Sequence, residues 1–443
     1  MVSRPLTSRT LLHKPENTNS STAKDGADEE KRLEEKFATF RHLVPITQNP
    51  DVIFLNAASA PPSNLIVHEA ITKYSSDALY EEYPYTQWRA TREEARGLIA
   101  KCINAEAPET VAFTRDTTEG LGGFIRALAG KGGGKSGQGF GKGDNVVLVD
   151  NEHPNMVYCW LALRDQGLEV RIVPTVEEAR RTGRIRAVGP ETLRPFVDAR
   201  TRAVGISSVT FDAGQANDVE GICREFRPRG VHVLADVSQH VGIAQIDVQR
   251  MGVSAAAFSL HKGLNCPTGI GALYISPKAF EAMGDPVPPI VNMAAVRNMS
   301  ESLLVSADEP VDYFPDARRF EHQNMSLVGV AAAAAFTRFY LEVLGPADVE
   351  AYLYYLTELL IRECEGLEIR VVGPRERRER APHICVLELD GETWGSYLTG
   401  IGGARFTVNR LGIRVSFGFF NSVEDVKRFV QVLKLGSARG LCI

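Results

Sequence analysis

The stretch Ala255-Ala256-Ala257-Phe258-Ser259-Leu260-His261-Lys262-Gly263 decides how the rest of the chain is interpreted. It opens with four apolar residues, which is typical of a buried strand, and then becomes polar and basic. Lys262 is therefore predicted to lie just beyond a strand end, where ligands bind in parallel sheets. A lysine that merely extends along the protein surface fits poorly among such apolar segments.

Asp236 and Gln239 precede this stretch and follow an apolar run of their own. A lysine amine forms a Schiff base with an aldehyde cofactor. A buried aspartate nearby keeps a pyridine nitrogen protonated, so that the ring withdraws electrons. Together these residues predict pyridoxal 5'-phosphate (PLP) as the cofactor. The alternative for Asp236 is a cap at the start of a following helix.

Seven short apolar runs alternate with helical segments along the chain. Such alternation predicts an α/β fold with a mostly parallel sheet. Asp236, residues 259–262 and the pair Glu152-His153 each follow one of these runs. We therefore expect them to meet in one crevice beyond the carboxyl ends of the strands. The predicted strands are residues 110–113, 145–149, 170–173, 203–206, 231–235, 255–258 and 271–275.

The composition narrows the class of protein. With 44% hydrophobic and 24% charged residues in 443, we expect a soluble globular protein with a large core. The net charge of −5, with acidic and basic residues mixed, predicts no nucleic-acid or membrane partner and favours a small molecule. The seven cysteines lack CxxC spacing, which favours reduced thiols and no metal site. We expect a cytoplasmic protein, with mitochondrial import as the alternative because residues 1–15 are basic and free of acids.

The order of patterns predicts two unequal domains. A surface helix is expected from Glu29 to Arg41, then a short strand at 52–55 and a loop of small residues at 56–62 that would let a ligand approach. Residues 65–103 are predicted to be helical, with a break at Tyr83-Pro84-Tyr85. The predicted units are a disordered tail (1–28), an N-terminal segment (29–64), a large cofactor-binding domain (65–330) and a smaller C-terminal α+β domain (331–443).

The glycine-rich segment 129–136 fits a loose phosphate-loop template. A true phosphate loop needs a strand before it and a helix directly after its final Ser or Thr. Here a helical pattern precedes the segment and more glycines follow it. Residues 130–142 are therefore predicted to be a flexible insertion, with nucleotide binding as the alternative.

Several motifs in order resemble one family. They are Phe113-Thr114-Arg115-Asp116-Thr117-Thr118-Glu119-Gly120, Asn151-Glu152-His153-Pro154-Asn155, Ala235-Asp236-Val237-Ser238-Gln239, Ser259-Leu260-His261-Lys262, Pro267-Thr268-Gly269-Ile270-Gly271, Arg318-Arg319-Phe320-Glu321 and Ile413-Arg414-Val415-Ser416-Phe417-Gly418. In this respect the chain resembles the class V aminotransferase-fold PLP enzymes, which include cysteine desulfurases, isopenicillin N epimerase and kynureninase. The resemblance implies PLP-dependent transferase fold type I and a homodimer.

The resemblance also implies roles around the cofactor ring. Lys262 would carry PLP and then act as the acid and base of the reaction. Asp236 would pair with the pyridinium nitrogen, Gln239 would donate to the phenolic oxygen, and His153 would stack on the ring face.

Further roles concern the phosphate. Thr117 and Thr118, at a helix start, would hold it together with Ser259 and His261. A plain helix cap is a compatible alternative for the two threonines. Asn324 falls where many relatives have a threonine that reaches the phosphate of the neighbouring subunit, so a contact across a dimer is expected there.

Arg414 matches the family's arginine for the substrate carboxylate, and a guanidinium offers two parallel hydrogen bonds to that group. The implied substrate is an α-amino acid, with Asn56 beside it. A salt bridge from Arg414 to a nearby acid is the alternative. Tyr83, Tyr85 and Trp88 are further candidates for the substrate pocket, although aromatic residues on a helix usually pack in a core.

Departures from the family bear on the reaction. Cysteine desulfurases carry a nucleophilic cysteine shortly before the arginine that matches Arg414, and residues 404–413 contain none. Phe211 stands where desulfurases have an asparagine. Cys266, near Lys262, is expected to be a buried apolar thiol. We therefore expect a lyase that breaks a bond at Cβ, such as C–S, with transamination and epimerisation as alternatives. A non-catalytic binding protein of the same fold is the alternative from another class.

Overall fold

This computed structural model describes residues 21–130, 139–298 and 307–442, with side chains from residue 26 onward. Within this part of the chain the strands, in chain order, are β1 Ile53–Phe54, β2 Val111–Thr114, β3 Asn145–Val149, β4 Glu169–Val173, β5 Thr201–Ser207, β6 His232–Asp236, β7 Ala255–Ser259, β8 Gly271–Ile275, β9 Val371–Val372, β10 Ile384–Leu387, β11 Ala404–Arg405, β12 Thr407–Asn409 and β13 Gly412–Ser416.

The α-helices of the described residues are, in the same order, α1 Ser21–Ala38, α2 Leu65–Tyr80, α3 Pro84–Cys102, α4 Thr117–Ala129, α5 Pro154–Leu161, α6 Thr175–Thr182, α7 Pro190–Leu193, α8 Val219–Phe226, α9 Val248–Met251, α10 Pro277–Ala282, α11 Leu327–Phe339, α12 Pro346–Glu365, α13 Thr393–Gly400 and α14 Val423–Ala438. The predicted helix break at Tyr83-Pro84-Tyr85 is present, because α2 ends at Tyr80 and α3 begins at Pro84.

Seven strands form the central sheet in the order β2-β8-β7-β6-β5-β3-β4. Neighbours pair in parallel except at β8, which is antiparallel to both β2 and β7. All seven strands predicted from apolar runs are present, within two residues at each end. The α/β fold with a mostly parallel sheet is confirmed.

The sheet is covered on both faces. Every residue of β2, β3, β7 and β8 is buried, as expected for strands in a mostly parallel sheet between helices. Helix α4 packs across β7 and β8. Gly120 permits this approach, because a Cβ there would lie 3.1 Å from the Cβ of Ala257. The N-terminus of α4 is thereby fixed beside the carboxyl end of β7.

A second unit is built around the antiparallel sheet β12-β13-β10-β9, against which α12 packs. The N-terminal segment joins this unit. Strand β1 pairs in parallel with β11, and α1 packs on α12, where Lys36 Nζ lies 2.7 Å from Asp348 Oδ2. The chain therefore crosses between the two units early, and the loop after β1 reaches both.

The predicted units can be placed against the observed helices and strands. Residues 21–28 belong to α1, so the predicted disordered tail does not extend to residue 28, and residues 1–20 lie outside the described part. The predicted domain boundary after residue 330 falls inside α11, which packs as one helix against α2 and α3. In the predicted insertion, residues 131–138 lie outside the described part, but the helix expected before the glycines is α4.

Within the described ranges, one helical segment, Leu327–Leu344, is long and apolar enough to cross a membrane. Half of it is buried inside the protein. It consists of α11 and a π-helical turn at Tyr340–Leu344, and its buried face packs on α2 and α3. This is the behaviour of a core helix.

Candidate active site

The predicted crevice forms where four adjacent strands end. In the sheet order β7-β6-β5-β3, these ends carry Ser259, Asp236, Ser207 and, three residues beyond β3, Glu152. Asp236 pairs in register with Ser207 on one side and Ala257 on the other. The convergence predicted from the strand ends is therefore present.

Lys262 lies on a tight turn after β7. Gly242 and Gly263 cross so closely that a Cβ on either would overlap the other's backbone or that of Val241, so neither position accepts a side chain. The turn is closed by Asn265, whose backbone N–H donates to the carbonyl of Lys262 at 2.9 Å. Backbone packing thus fixes the lysine at the floor of the crevice.

The amine of Lys262 is poised for chemistry by its surroundings. Burial lowers its pKa from the ordinary value of 10.5, Asp236 opposes that effect, and Arg414 adds to it. Charged groups shift the pKa of one another only over short distances. Lys262, Asp236 and Arg414 therefore share one electrostatic environment.

Asp236 is the last residue of β6 and is half-buried. Its Oδ1 accepts the backbone N–H of Ser238 at 2.9 Å, in a turn rather than at the start of a regular helix. The helix-cap interpretation is therefore not what the structure shows. One carboxylate oxygen remains without a hydrogen-bond partner among the described residues.

Gln239 is buried and its amide is held at both ends. Its Nε2 donates to the carbonyl of Ala58 at 2.8 Å, and its Oε1 lies 3.2 Å from Nε2 of His383. An amide nitrogen carries two hydrogens, so one N–H is left for a further acceptor.

A group of hydroxyls lies at the N-terminus of α4. Oγ1 of Thr117 is 2.9 Å from Oγ of Ser238, which in turn accepts the backbone N–H of Ser259 at 3.4 Å. Oγ of Ser259 is buried and has no hydrogen-bond partner among the described residues. Hydroxyls and free amides at a helix N-terminus suit an anion such as a phosphate.

Two other predicted phosphate residues border this group. Thr118 accepts a hydrogen bond from Nδ2 of Asn155 at 2.7 Å. His261 is half-buried near Asp116, and burial lowers its pKa below the ordinary 6.5. Asp116, not either threonine, caps α4, since its side chain accepts the backbone N–H of Glu119 at 2.8 Å.

His153 is the cap residue of α5, where its Nδ1 accepts the backbone N–H of Asn155 at 3.3 Å. Its ring lies edge-on to the ring of Phe211, with centroids 5.1 Å apart. Burial lowers its pKa, and the charges of Asp236 and Lys262 both reach it. His153 is therefore at the crevice, as predicted.

Arg414 is buried on β13 of the second unit, and its contacts place its guanidinium beside the crevice. It donates from Nη1 to the carbonyl of Phe211 and from Nη2 to Oγ1 of Thr407 at 3.1 Å, while its Nε has no partner among the described residues. The nearby carboxylate of Asp212 is taken by Arg410 at 2.5 Å. Arg414 thus forms no salt bridge among the described residues, and burial lowers its pKa to about 10.

Asn56 lies beside this arginine. Its Oδ1 accepts a hydrogen bond from Oγ1 of Thr407 at 2.7 Å, and Thr407 also accepts from Arg414. Its backbone bridges to Ser416. The two predicted substrate residues are therefore joined through Thr407.

Glu152 is a further residue of the crevice, and the family resemblance implies no role for it. It is 5% exposed, and Ser207 donates to both of its oxygens, from the backbone N–H at 2.7 Å and from Oγ at 2.5 Å. Burial raises its pKa to about 8, with the charges of Asp236 and Asp212 acting in the same direction. A buried acid therefore stands next to the aspartate of the crevice. Its position after β3 is the sequence signal that placed it, together with His153, in the predicted crevice.

The described residues of a single chain do not place the remaining predicted site residues in the crevice. Asn324 lies in an exposed turn with no hydrogen bond among the described residues. Tyr83 and Tyr85 are exposed, and Trp88 is buried between Tyr74 and Tyr85. Cys266 is buried as predicted, and its thiol contacts the carbonyl of Leu264.

The family model described as aminotransferase class-V matches residues 52–429. The chain belongs to the class V aminotransferase family. An uncharacterized protein of Schizosaccharomyces pombe is 42% identical over 91% of this chain and 88% of its own, and a probable cysteine desulfurase of Methanothermobacter thermautotrophicus is 31% identical over 74% and 76%.

Solved structures show the same fold. An apo cysteine desulfurase from Thermococcus onnurineus superposes with a TM-score of 0.75 at 22% identity, covering 91% of this chain and 98% of its own. A cystine C–S lyase in complex with cysteine persulfide gives a TM-score of 0.73 at 19% identity, covering 88% and 98%. These likenesses confirm fold type I.

Because the chain belongs to the class V aminotransferase family, it is a PLP-dependent enzyme. The residues present fit the cofactor. The unpartnered hydroxyl of Ser259 beside the start of α4 suits the phosphate, and Asp236 keeps an open carboxylate oxygen for the ring nitrogen. The unpartnered Nε of Arg414 is available to an amino-acid carboxylate.

Proposed function

We propose that the protein is a PLP-dependent lyase that breaks the bond between Cβ and sulfur in an α-amino acid. The observation that carries the proposal is the arrangement of the crevice. The lysine, aspartate and arginine expected of an amino-acid-processing site share it, and among the residues that the structure describes no reactive thiol lies there. The combination supports bond breakage at Cβ without transfer of sulfur to the enzyme.

PLP, when bound, supplies a ring that accepts electrons and so stabilises negative charge at Cα. Lys262 would hold the cofactor covalently and would then accept the Cα proton. Its lowered pKa supports this role, because a larger fraction of the amine is then unprotonated near neutral pH. Asp236 would keep the ring nitrogen protonated through a charge-assisted hydrogen bond.

Phosphate binding falls to the first turn of α4. Thr117, Ser259 and the helix amides would hold it, with Thr118 and His261 on either side. His153 would cover one face of the ring. Phe211, edge-on to His153, would restrict the ring and the substrate to one side.

Arg414 and Asn56 bind the substrate. The guanidinium already has two N–H groups engaged, to Phe211 and Thr407, which hold its plane fixed. Its remaining N–H groups are free to take a carboxylate in two parallel bonds. Fixing the carboxylate orients the bonds at Cα relative to the ring and so decides which of them breaks.

The state of the cysteines argues against persulfide chemistry on the enzyme. Burial raises the pKa of Cys266, the cysteine nearest to Lys262 in the sequence, so its thiol stays protonated. The exposed cysteine, Cys442, lies at the chain end, where its carbonyl accepts from Trp394. Sulfur would therefore leave with the Cβ–S electron pair as a small thiol, and water would convert the remaining unsaturated amino acid to a 2-oxo acid and ammonia.

We also propose a homodimer. Four large apolar residues around the α2–α3 turn, Leu79, Tyr80, Tyr83 and Tyr85, are between 61% and 83% exposed. Exposed apolar clusters of this kind are typical of interaction surfaces. Light scattering at several protein concentrations tests this, and a monomer at all of them would contradict it.

The experiment for the reaction uses L-cystine and cysteine S-conjugates as substrates. We expect 2-oxo acid, ammonia and one sulfur product in equal amounts, which is a thiol from the S-conjugates and cysteine persulfide from L-cystine. We expect no product from Lys262→Ala and full activity in Cys266→Ala. Lys278→Ala, at an exposed lysine after β8, is the matched control. A 2-oxo acid formed only when a second oxo acid is added, with no thiol released, would replace the proposal with transamination. Inversion at Cα without bond cleavage would replace it with epimerisation.

A further inference from the structure

His383 is a buried histidine that the catalytic roles above do not use. It immediately precedes β10, and its carbonyl accepts the backbone N–H of Phe417, which follows β13. It is 0% exposed, and its Nδ1 has no hydrogen-bond partner among the described residues. Burial lowers its pKa to about 3, and the charges of Arg414 and Lys262 lower it further. The ring is therefore neutral and carries one proton.

The contacts of Gln239 decide where that proton lies. A carbonyl oxygen only accepts hydrogen bonds, so the atom of Gln239 that lies 2.8 Å from the Ala58 carbonyl must be the amide nitrogen. The other end of the amide, facing His383 at 3.2 Å, is then the oxygen. Because this oxygen also only accepts, Nε2 of His383 must be the protonated nitrogen.

The pair of contacts removes the freedom of the amide to rotate by half a turn. A flipped amide would place its oxygen against the Ala58 carbonyl and its N–H groups against the N–H of His383. Both contacts would be repulsive in a buried site where lost hydrogen bonds are costly. One N–H of Gln239 is therefore held in a single direction.

We propose that His383 is a positioning residue that locks the Gln239 amide so that its free N–H meets the phenolic oxygen of bound PLP. The inference rests on the proposed PLP-dependent function and on the role that the family resemblance implies for Gln239, which is to donate a hydrogen bond to that oxygen. It also gives the second unit a part in tuning the cofactor, since His383 precedes β10, whereas Gln239 follows β6 of the central sheet.

The expected consequence is spectroscopic. A hydrogen bond to the phenolic oxygen stabilises its negative charge, so the bound cofactor holds its titrating proton less tightly. Loss of the contact between His383 and the Gln239 amide should raise the midpoint of the visible absorbance titration by roughly one pH unit. This is the shift expected for one hydrogen bond to a charged group. The affinity of the apo protein for PLP should fall several-fold.

The variants are His383→Ala, His383→Gln, Gln239→Ala and the double variant. Gln at position 383 can place an N–H near the position of the histidine Nε2, so it should restore the wild-type midpoint. Gln239→Ala and the double variant should shift equally, because the histidine acts only through the amide. His232→Ala is the matched control: His232 is also shielded and hydrogen-bonded, to Ser254 at 3.2 Å, but has no contact with Gln239.

A measurement on the unaltered protein guards against variants that do not fold. Nitrogen-15 NMR of histidine-labelled protein should show His383 neutral and protonated at Nε2. Protonation at Nδ1, or a His383→Ala midpoint equal to wild type while Gln239→Ala shifts, would overturn the inference and leave the proposed function intact. A protein with no visible band when PLP is supplied would overturn both.

Discussion

Ser207 donates hydrogen bonds to both carboxyl oxygens of Glu152, at 2.7 Å from its backbone N–H and 2.5 Å from its hydroxyl. The same Ser207 pairs in register with Asp236. Two carboxyl groups are therefore held near each other at the ends of β3 and β6, and they cannot both ionise without cost.

The first prediction concerns pH. Unfolded, Glu152 loses its proton near its ordinary pKa of 4.5, and folded it keeps the proton up to about pH 8. Between these values the folded state binds the extra proton, so the free energy of unfolding should fall as the pH rises, by on the order of a few kcal/mol. Glu152→Gln should abolish this contribution to the change of the free energy of unfolding with pH. Urea unfolding of the apo forms across the range checks it, and parallel pH profiles for the two proteins would contradict it.

Replacement of Arg414 should remove substrate binding while leaving the cofactor in place. Arg414→Ala is expected to weaken amino-acid binding by roughly 10²–10³-fold, as expected when a buried charge loses its partner. Arg414→Lys should restore only part of this, because an ammonium lacks the planar pair of donors. Substrate titration followed by the visible band measures it, with Arg405→Ala on β11 as the control. Unchanged binding in Arg414→Ala would place the carboxylate elsewhere.

Ser259 should contribute to phosphate binding specifically. Ser259→Ala is expected to lower the affinity of the apo protein for PLP by roughly 10-fold, the effect of a hydrogen bond to a charged group. It should leave the affinity for pyridoxal, which lacks the phosphate, unchanged. Ser254→Ala is the control, because Ser254 is also buried and its hydroxyl oxygen instead accepts the backbone N–H of Val233 at 3.0 Å. Equal losses for PLP and pyridoxal would contradict the assignment.

Gly263 should be essential for the position of Lys262. Any side chain there overlaps the carbonyl of Val241, so Gly263→Ala must displace the turn. We expect the variant to fold and to lose the visible band. Gly269→Ala controls for changes to loop glycines: a Cβ there meets no atom within 4 Å, although its positive φ adds strain. A normal spectrum in Gly263→Ala would show that the close approach of Gly242 and Gly263 is not needed to position Lys262.

Much of the fold could be predicted because its strands are continuous apolar runs. β3 and β8 were predicted at their exact ends, since both are fully buried and bounded by polar turns. The boundary placed after residue 330 falls within α11, whose mostly apolar sequence gives no local sign of where one unit stops, and it stays a prediction. The alternative in which the threonines cap α4 was wrong, because Asp116 also has a capping side chain and lies one position earlier.

The site was predictable where residues follow strand ends and not where they meet through tertiary packing. Asp236 ends one strand, and His153 and Lys262 each follow another, so their convergence could be inferred. His383 belongs to the second unit, and its contact with Gln239 spans 144 residues of sequence. No local pattern indicates such a pair.

The attachment of PLP to Lys262 is the central claim, and one measurement tests it most directly. The purified protein is supplied with PLP, reduced with borohydride so that any imine becomes a stable amine, digested and mapped by mass spectrometry. The account predicts a single modified peptide, the one containing Lys262, and none in Lys262→Ala. Modification of another lysine, such as Lys278, or no modification at all would contradict it.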